Sequence, residues 1–458
     1  MGAIEAEFSG DAKRAMLFLV RSVLEPVNLL AELFDTTLQG CGKNAYGLNA
    51  LVVRYYRLLK RIRIVYTRLY HQELRTRIQG VVSGEYCQLL LSTLDAAEVE
   101  FGASASVTTS ACAGMSSSST VVSGMNDDTL CTNSDVLDTS ATVSGTSVDA
   151  SGTSTTVSAT IAAVGGAVVG SSSSVKEETG VSSGATVDTT WRALASLETA
   201  TAVAIDDEVS TEQTVADNAA MNSLYARYAG ESSKIDSMTF SADIDAAVQE
   251  IQRVCTGVAL DEAALASLLL SKSVEQRYLI WWRYRTLYKQ SLTMWIKSTS
   301  DYGVLLKMLA SPLEQVEAEI LQKATKGLGT TEEWIYPVVM ARSNAEIALL
   351  KKTFQEKYGD DLVKVLSKEL SGDLKKVILT AMRGEVADFN ASVHTSVKAS
   401  TDADTLYKAG QGRTGVDETT FINILVLSPA EHVHGINTRD AVPGAVGAGA
   451  GESACGAV

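Results

Sequence analysis

The sequence predicts an all-α protein in which one helical unit recurs at a period of about seventy residues, interrupted by a long disordered linker rich in Ser, Thr, Ala and Gly. Three observations predict this. Apolar residues such as Ile347, Leu350, Phe354 and Tyr358 recur at steps of three or four, which lines them along one helix face. The same order of helix, glycine loop, helix and Ser-Gly or Ser-Asp turn returns along the chain. Between Gly102 and Thr190 the composition collapses to Ser, Thr, Ala, Gly and Val, with too few large apolar side chains to offset the entropy of ordering.

A chain of 458 residues with 46% hydrophobic residues can furnish real cores. Its start, through Arg14, mixes charges, and Arg21 and Glu25 break the apolar stretch that follows, so no secretory signal is expected. Ala6 stands where a myristoylation signal needs Ser or Thr. The best apolar run, Thr160 to Gly170, is too short to span a membrane, so any membrane contact is expected to be peripheral. Six scattered cysteines form neither a zinc pattern nor a disulfide framework, which fits a reducing cytoplasm. The net charge of −15 arises mostly between Asp95 and Asp236, and it speaks against nucleic acid as a partner.

In chain order, residues 1–94 hold the first copy of the unit and the helices before it, with Gly40-Cys41-Gly42, a long helix, and Ser83-Gly84-Glu85-Tyr86. Within it Arg54 to Tyr70 mixes bases with aromatics as nucleic-acid binders do, but its apolar residues fit a core-facing amphipathic helix, whose bases remain available to anionic lipid. Residues 95–240 read as the acidic low-complexity linker, with one or two loose helices after Trp191. Residues 241–310 hold a second copy, with Gly257, Asp261 and Glu262 in its loop, Glu275-Gln276-Arg277 opening a long aromatic helix, and Ser300-Asp301-Tyr302.

Residues 311–398 hold the clearest copy. Gly359 is expected to stop its central helix and Asp360 to cap the next, which carries Leu362, Leu366 and Leu370 inward. Ser371 starts a further helix with Leu374, Val377, Ile378 and Met382. Pro337 falls inside a helix and is expected to remove a hydrogen bond there. Residues 399–442 hold a truncated copy and 443–458 a flexible tail.

Lys326 to Glu333 (KGLGTTEE), Ala341 to Glu346 (ARSNAE) and Lys368 to Leu379 (KELSGDLKKVIL) resemble one annexin repeat in order and spacing. The resemblance implies annexin-like five-helix repeats, and it implies a calcium site in which the carbonyls of Thr325, Gly327 and Gly329 and a bidentate Glu369 hold the ion. Calcium favours six to eight hard oxygens, so five from the protein leave about two positions for water or a lipid phosphate. With one formal charge on the protein side, affinity without lipid is expected on the order of 10⁻⁵ to 10⁻³ M, and phosphate tightens it by linkage. Leu328 sits at the loop tip, facing the headgroups in this reading. Thr330 and Glu332 are candidates for a weaker secondary site. The same residues also have plain readings: a Gly-x-Gly turn, a capping box from Thr330 to Glu333, and a solvated Glu369. Arg342 reads as a structural arginine satisfying helix ends.

The other copies are poorer. The first keeps Gly40 and Gly42 but has Val81 near the acid position. The second has Ala259 for a glycine and Thr299 or Ser300 near the acid. In the last, Gly410, Arg413 and Gly415 match carbonyl positions, but no acid follows before the tail, so it is at most half a site. The Gly-x-Gly-x-x-Gly from Gly410 lacks the surrounding strand and βαβ pattern of a nucleotide loop. His432 and His434, two apart on a helix, are a poor metal pair and read as surface histidines.

The first copy looks like a final annexin repeat, and those after the linker like repeats one, two and an unfinished three. Either the chain is a slice of a longer tandem protein or it is one rearranged core. The function expected is calcium-dependent docking on anionic phospholipid with phosphatidylserine-like headgroups, in a cytoplasmic protein peripheral at membranes when calcium rises. The alternative is a calcium-independent scaffold with a cytoskeletal or other protein partner. No catalytic constellation can be assembled, so an enzyme is not expected.

Overall fold

The computed structural model describes residues 2–39, 44–107, 211–221, 223–257, 259–327, 330–410 and 417–440, all within one compact unit. Every regular element among them is helical. The low-complexity stretch from 108 to 210 and the tail from 443 lie outside the described residues.

Two helices open the chain, α1 (Gly2–Glu7) and α2 (Gly10–Leu24). A first group of five follows: α3 (Pro26–Gln39), α4 (Ala45–Arg54), α5 (Leu59–Tyr70), α6 (Leu74–Val81) and α7 (Gly84–Val107). Pro26 opens α3, where its missing N–H costs nothing, Asn44 caps α4 through Gly47 N, and His71 in the left-handed region ends α5. Leu59, Ile62, Val65 and Tyr66 give α5 its buried face.

After α8 (Thr211–Met221) and the short α9 (Ser232–Asp236) come α10 (Ala242–Cys255), α11 (Glu262–Leu270), α12 (Val274–Tyr288) and α13 (Asp301–Leu309). Ser241, Asp261 and Ser300 cap three of these, and Ser273 with Gln276 forms a reciprocal capping box on α12.

A further group of five is α14 (Leu313–Thr325), α15 (Glu332–Val339), α16 (Asn344–Tyr358), α17 (Leu362–Glu369) and α18 (Gly372–Ala381). Gly359, at φ +77°, stops α16 as expected. The next cap is Asp361, not Asp360: its carboxylate accepts the N–H groups of Val363 and Lys364, because only the extended residue directly before Leu362 can reach them. Pro337 lies within the eight-residue α15, and its carbonyl accepts from Arg54 Nη2 at 2.5 Å. The chain ends with α19 (Ser396–Ala409), α20 (Glu418–Leu427) and α21 (Ala430–Asp440).

The main hydrophobic core runs from Ile4 to Ile436, and Ala226, Ile235 and Tyr278 form a smaller second cluster. Helix α4 packs on α13 and α14, and α2 packs on α15, α18 and α21. Asn49 Nδ2 donates to Asp301 O at 3.1 Å across that junction. The first copy therefore packs against the later ones, as in the rearranged-core arrangement.

The linker boundaries at 95 and 240 need correction. Helix α7 continues through Val107. At the other end Met221, Leu224, Tyr225 and Ile235 are buried, and Glu346 Oε1 accepts the N–H groups of Leu224 at 2.9 Å and Tyr225 at 3.0 Å. The acidic composition around this segment conceals a short apolar run that finds both core and capping partner.

His432 is likewise not at the surface. It is 3% exposed, with Nε2 2.8 Å from Asp402 Oδ2, because α21 lies against α19 and α2. His434 is half-buried with Nε2 3.1 Å from Val23 O.

Candidate calcium site

The site begins where α14 stops. Thr325 is its last residue, Lys326 turns extended, and Gly327 takes φ +131°, a conformation that L side chains avoid. Open space surrounds the position a Gly327 Cβ would take, so glycine is required there by backbone conformation and not by crowding. Thr331 N–H donates to Ala324 O at 2.9 Å and closes the loop onto the helix end.

The acid arrives from α17. Leu362 and Leu366 anchor that helix in the core, which leaves its final residue, Glu369, at the rim with its side chain 29% exposed. Thr330 Oγ1 donates to Glu369 O at 3.4 Å, bringing the carboxylate-bearing turn beside the glycine loop across thirty-nine residues of sequence. Among the described residues, the nearest cation to the Glu369 carboxylate is Lys368, whose Nζ stays 3.9 Å away and is itself highly exposed.

Of the predicted ligands the structure thus brings Thr325, Gly327 and Glu369 to one loop cluster, while Gly329 and Leu328 lie outside the described residues. Glu332 opens α15, and the cap residue there is Thr331, so the capping-box reading from Thr330 does not hold. Thr330 turns its hydroxyl to the α17 end instead. In the last copy Gly410 is described, whereas Arg413 and Gly415 are not, nor are Gly40 and Gly42 of the first copy. Arg342 is buried, and its Nε donates to Val338 O at 3.2 Å at the end of α15.

The donor chemistry fits a hard divalent cation. It is all oxygen: backbone carbonyls of a tight turn and a half-exposed carboxylate, without the nitrogen or sulfur that zinc prefers. No group of three His, Cys, Asp or Glu clusters among the described residues. None of the described helices is long and apolar enough to cross a membrane.

The annexin family model matches residues 316–381, the span that holds loop and acid together. Mouse annexin A13 is 33% identical over 189 residues, covering 41% of this chain and 58% of that protein. Annexin A5 of the newt Cynops pyrrhogaster is 30% identical over 187 residues, covering 40% of this chain and 57% of that one. These matches support an annexin family protein with partial repeats. A solved structure of annexin III matches over 43% of this chain and 61% of its own, at 29% identity and a TM-score of 0.39. The chain spans less than three-fifths of the length of these curated relatives.

One acid escaped the sequence reading. The side chain of Glu7, at the end of α1, lies against Gly410 at the end of α19, with its Cγ, Cδ and Oε1 2.8 to 2.9 Å from where a Gly410 Cβ would stand. The signal was present in the sequence: Glu7-Phe8-Ser9-Gly10-Asp11 repeats Glu369-Leu370-Ser371-Gly372-Asp373.

Proposed function

We propose that this annexin docks reversibly on anionic phospholipid through a calcium ion held between the loop from Thr325 to Thr330 and Glu369. The observation that carries this reading is the hydrogen bond from Thr330 Oγ1 to Glu369 O, which sets the acid beside a loop that already exposes Gly327 in its left-handed conformation. Bound calcium supplies positive charge and open coordination positions to a lipid phosphate.

The protein's own part is geometric. The loop carries Gly327 exposed at positive φ, α17 delivers Glu369 beside it, and the closing bond from Thr331 to Ala324 holds the loop on the end of α14. Thr330 and Glu332 stand beside it as the secondary position. Association would be peripheral, and a single complete site of this kind implies modest avidity unless other sites contribute.

Co-sedimentation with phosphatidylserine vesicles, in calcium and in chelator, tests this. The natural chain should sediment only with calcium, and Glu369→Gln should stay largely in the supernatant at the same calcium. Equal sedimentation in both conditions and for both chains would instead support a calcium-independent scaffold or simple adsorption.

A further inference from the structure

A cleft of about 640 Å³ is bordered by α12, α16, the short α9 and the start of α14, and none of its lining residues belongs to the loop from Thr325 to Thr330 or is Glu369. That volume suits a small organic ligand. Helix periodicity builds its sides. Tyr278, Trp282, Arg285 and Lys289 recur at steps of three and four along α12 and its cap, and Leu349, Lys352 and Glu356 do so along α16, so each helix turns one stripe toward the cleft. Gly230, at φ +80°, turns the chain toward α9, and Ile235 packs on Tyr278 in the smaller apolar cluster, which fixes α9 as the third side.

Two buried polar atoms on these walls have no partner. Glu314, in the first turn of α14, is 4% exposed, and its Oε2 makes no hydrogen bond. The indole Nε1 of Trp282 is buried without an acceptor. Buried polar atoms are nearly always hydrogen-bonded, so two orphans lining one cleft mark it as built for a polar guest.

The charges decide what kind of guest. Burial pushes the Glu314 carboxyl up to about 8, so at neutral pH it keeps its proton and adds no negative charge. Three cations, Arg285, Lys289 and Lys352, then face two carboxylates, Asp236 and Glu356, an excess of one positive charge. Lys352 Nζ stands 3.9 Å from Glu356 Oε1. Arg285 and Lys289 are exposed, and the Arg285 guanidinium lies 5.6 Å from the Trp281 ring centroid, which holds a planar donor beside the aromatic wall. A protonated carboxyl, an indole N–H, a guanidinium and two ammonium groups all donate. The guest must therefore supply acceptors, negative charge and a flat apolar body.

We propose that this cleft binds a small aromatic oxyanion, a carboxylate or a phosphate monoester carried on a planar ring system, with the ring beside Trp282 and Leu349 and the oxygens at Arg285 and Lys289. The proposal stands apart from the calcium reading, and either can fail without the other.

The test is calorimetric titration of the full chain at pH 7 with four probes that share one ring: 1-naphthaleneacetate, 1-naphthyl phosphate, the neutral 2-(1-naphthyl)ethanol and the cationic 1-naphthylmethylammonium. At least one of the two anions should bind on the order of tenfold or more tighter than the alcohol and the ammonium, and the ratio between the anions tells carboxylate from phosphate. The double variant Arg285→Gln, Lys289→Gln should lose that preference while keeping its thermal melting and its calcium-dependent sedimentation with vesicles, since both side chains are exposed and far in sequence from the glycine loop. Trp282→Phe should weaken the anion as well, by removing the indole donor. The proposal is overturned if the ammonium or the alcohol binds as tightly as both anions, if the folded double variant binds the anions unchanged, or if no probe binds at millimolar concentration.

Discussion

Arg54 Nε lies 2.9 Å from Glu317 Oε1, with the two side chains 4% and 0% exposed, and this pair ties α4 of the first helical group to α14, 263 residues later. Arg342 also bonds to Glu317, and Tyr225 Oη donates to Glu317 Oε2 at 2.7 Å. Removing Arg54 leaves Glu317 with Arg342 and Tyr225, but takes one charged donor from the carboxylate and the donor from Pro337 O. Arg54→Met should therefore cost about 1–3 kcal/mol of stability, measured by chemical denaturation, although nothing in it touches the glycine loop.

Glu314 sits in the same buried region, and its carboxyl is pushed up to about 8. Burial is the main cause; its own backbone hydrogen bond opposes it, and the nearby carboxylates Glu317 and Glu346 add to it. A folded-state value above the unfolded one means the folded protein holds this proton more tightly. The stabilisation is complete below the ordinary carboxyl value of 4.5 and is lost as pH rises toward 8. Thermal melting should fall over that window. Glu314→Gln should flatten the fall and raise the melting temperature above pH 8; Glu346, raised mainly by burial, leaves a remainder of the same sign.

At Gly327 the backbone, and not space, is limiting. Gly327→Ala places a side chain at φ +131° with open room around it, at a cost of about 1–3 kcal/mol. Since that cost falls on the loop, the calcium concentration for half-maximal vesicle binding should rise by roughly tenfold or more, and the variant should retain its helical circular dichroism.

Phe8 and Phe421 join the two chain ends. Phe421→Ala should destabilise the protein by about 3–5 kcal/mol. A double-mutant cycle with Phe8→Ala, read by denaturant titration, should give a coupling of about 0.5–1.5 kcal/mol from the edge-to-face contact. A coupling near zero would mean the amino-terminal helices do not rest on α20 in solution.

The helices were legible where local chemistry decides them. Gly359 marks the end of α16 by handedness alone, and the three- and four-residue apolar steps through Ile347, Leu350 and Phe354 mark its inner face. The nearness of Glu369 to the glycine loop was legible because both lie in one continuous repeat. Glu7 was not, since its partner Gly410 follows it by about four hundred residues and nothing in local spacing joins them. His432 misled because it was read as one of a polar pair with His434, whereas it shares a face with Ile436 one turn on, and the packing of α19 and α2 against α21 buries both. The segment around Leu224 and Tyr225 was hidden for the same reason, since its hold on the core comes from Glu346 on a distant helix.

The measurement that bears most directly on the calcium bridge is equilibrium calcium binding by the natural chain with and without phosphatidylserine vesicles. If the ion joins protein oxygens to lipid phosphate, vesicles must tighten calcium binding by the factor that calcium tightens vesicle binding, and Glu369→Gln must remove most of that coupling. Calcium binding of the same strength with and without vesicles, or coupling untouched by Glu369→Gln, would contradict the account.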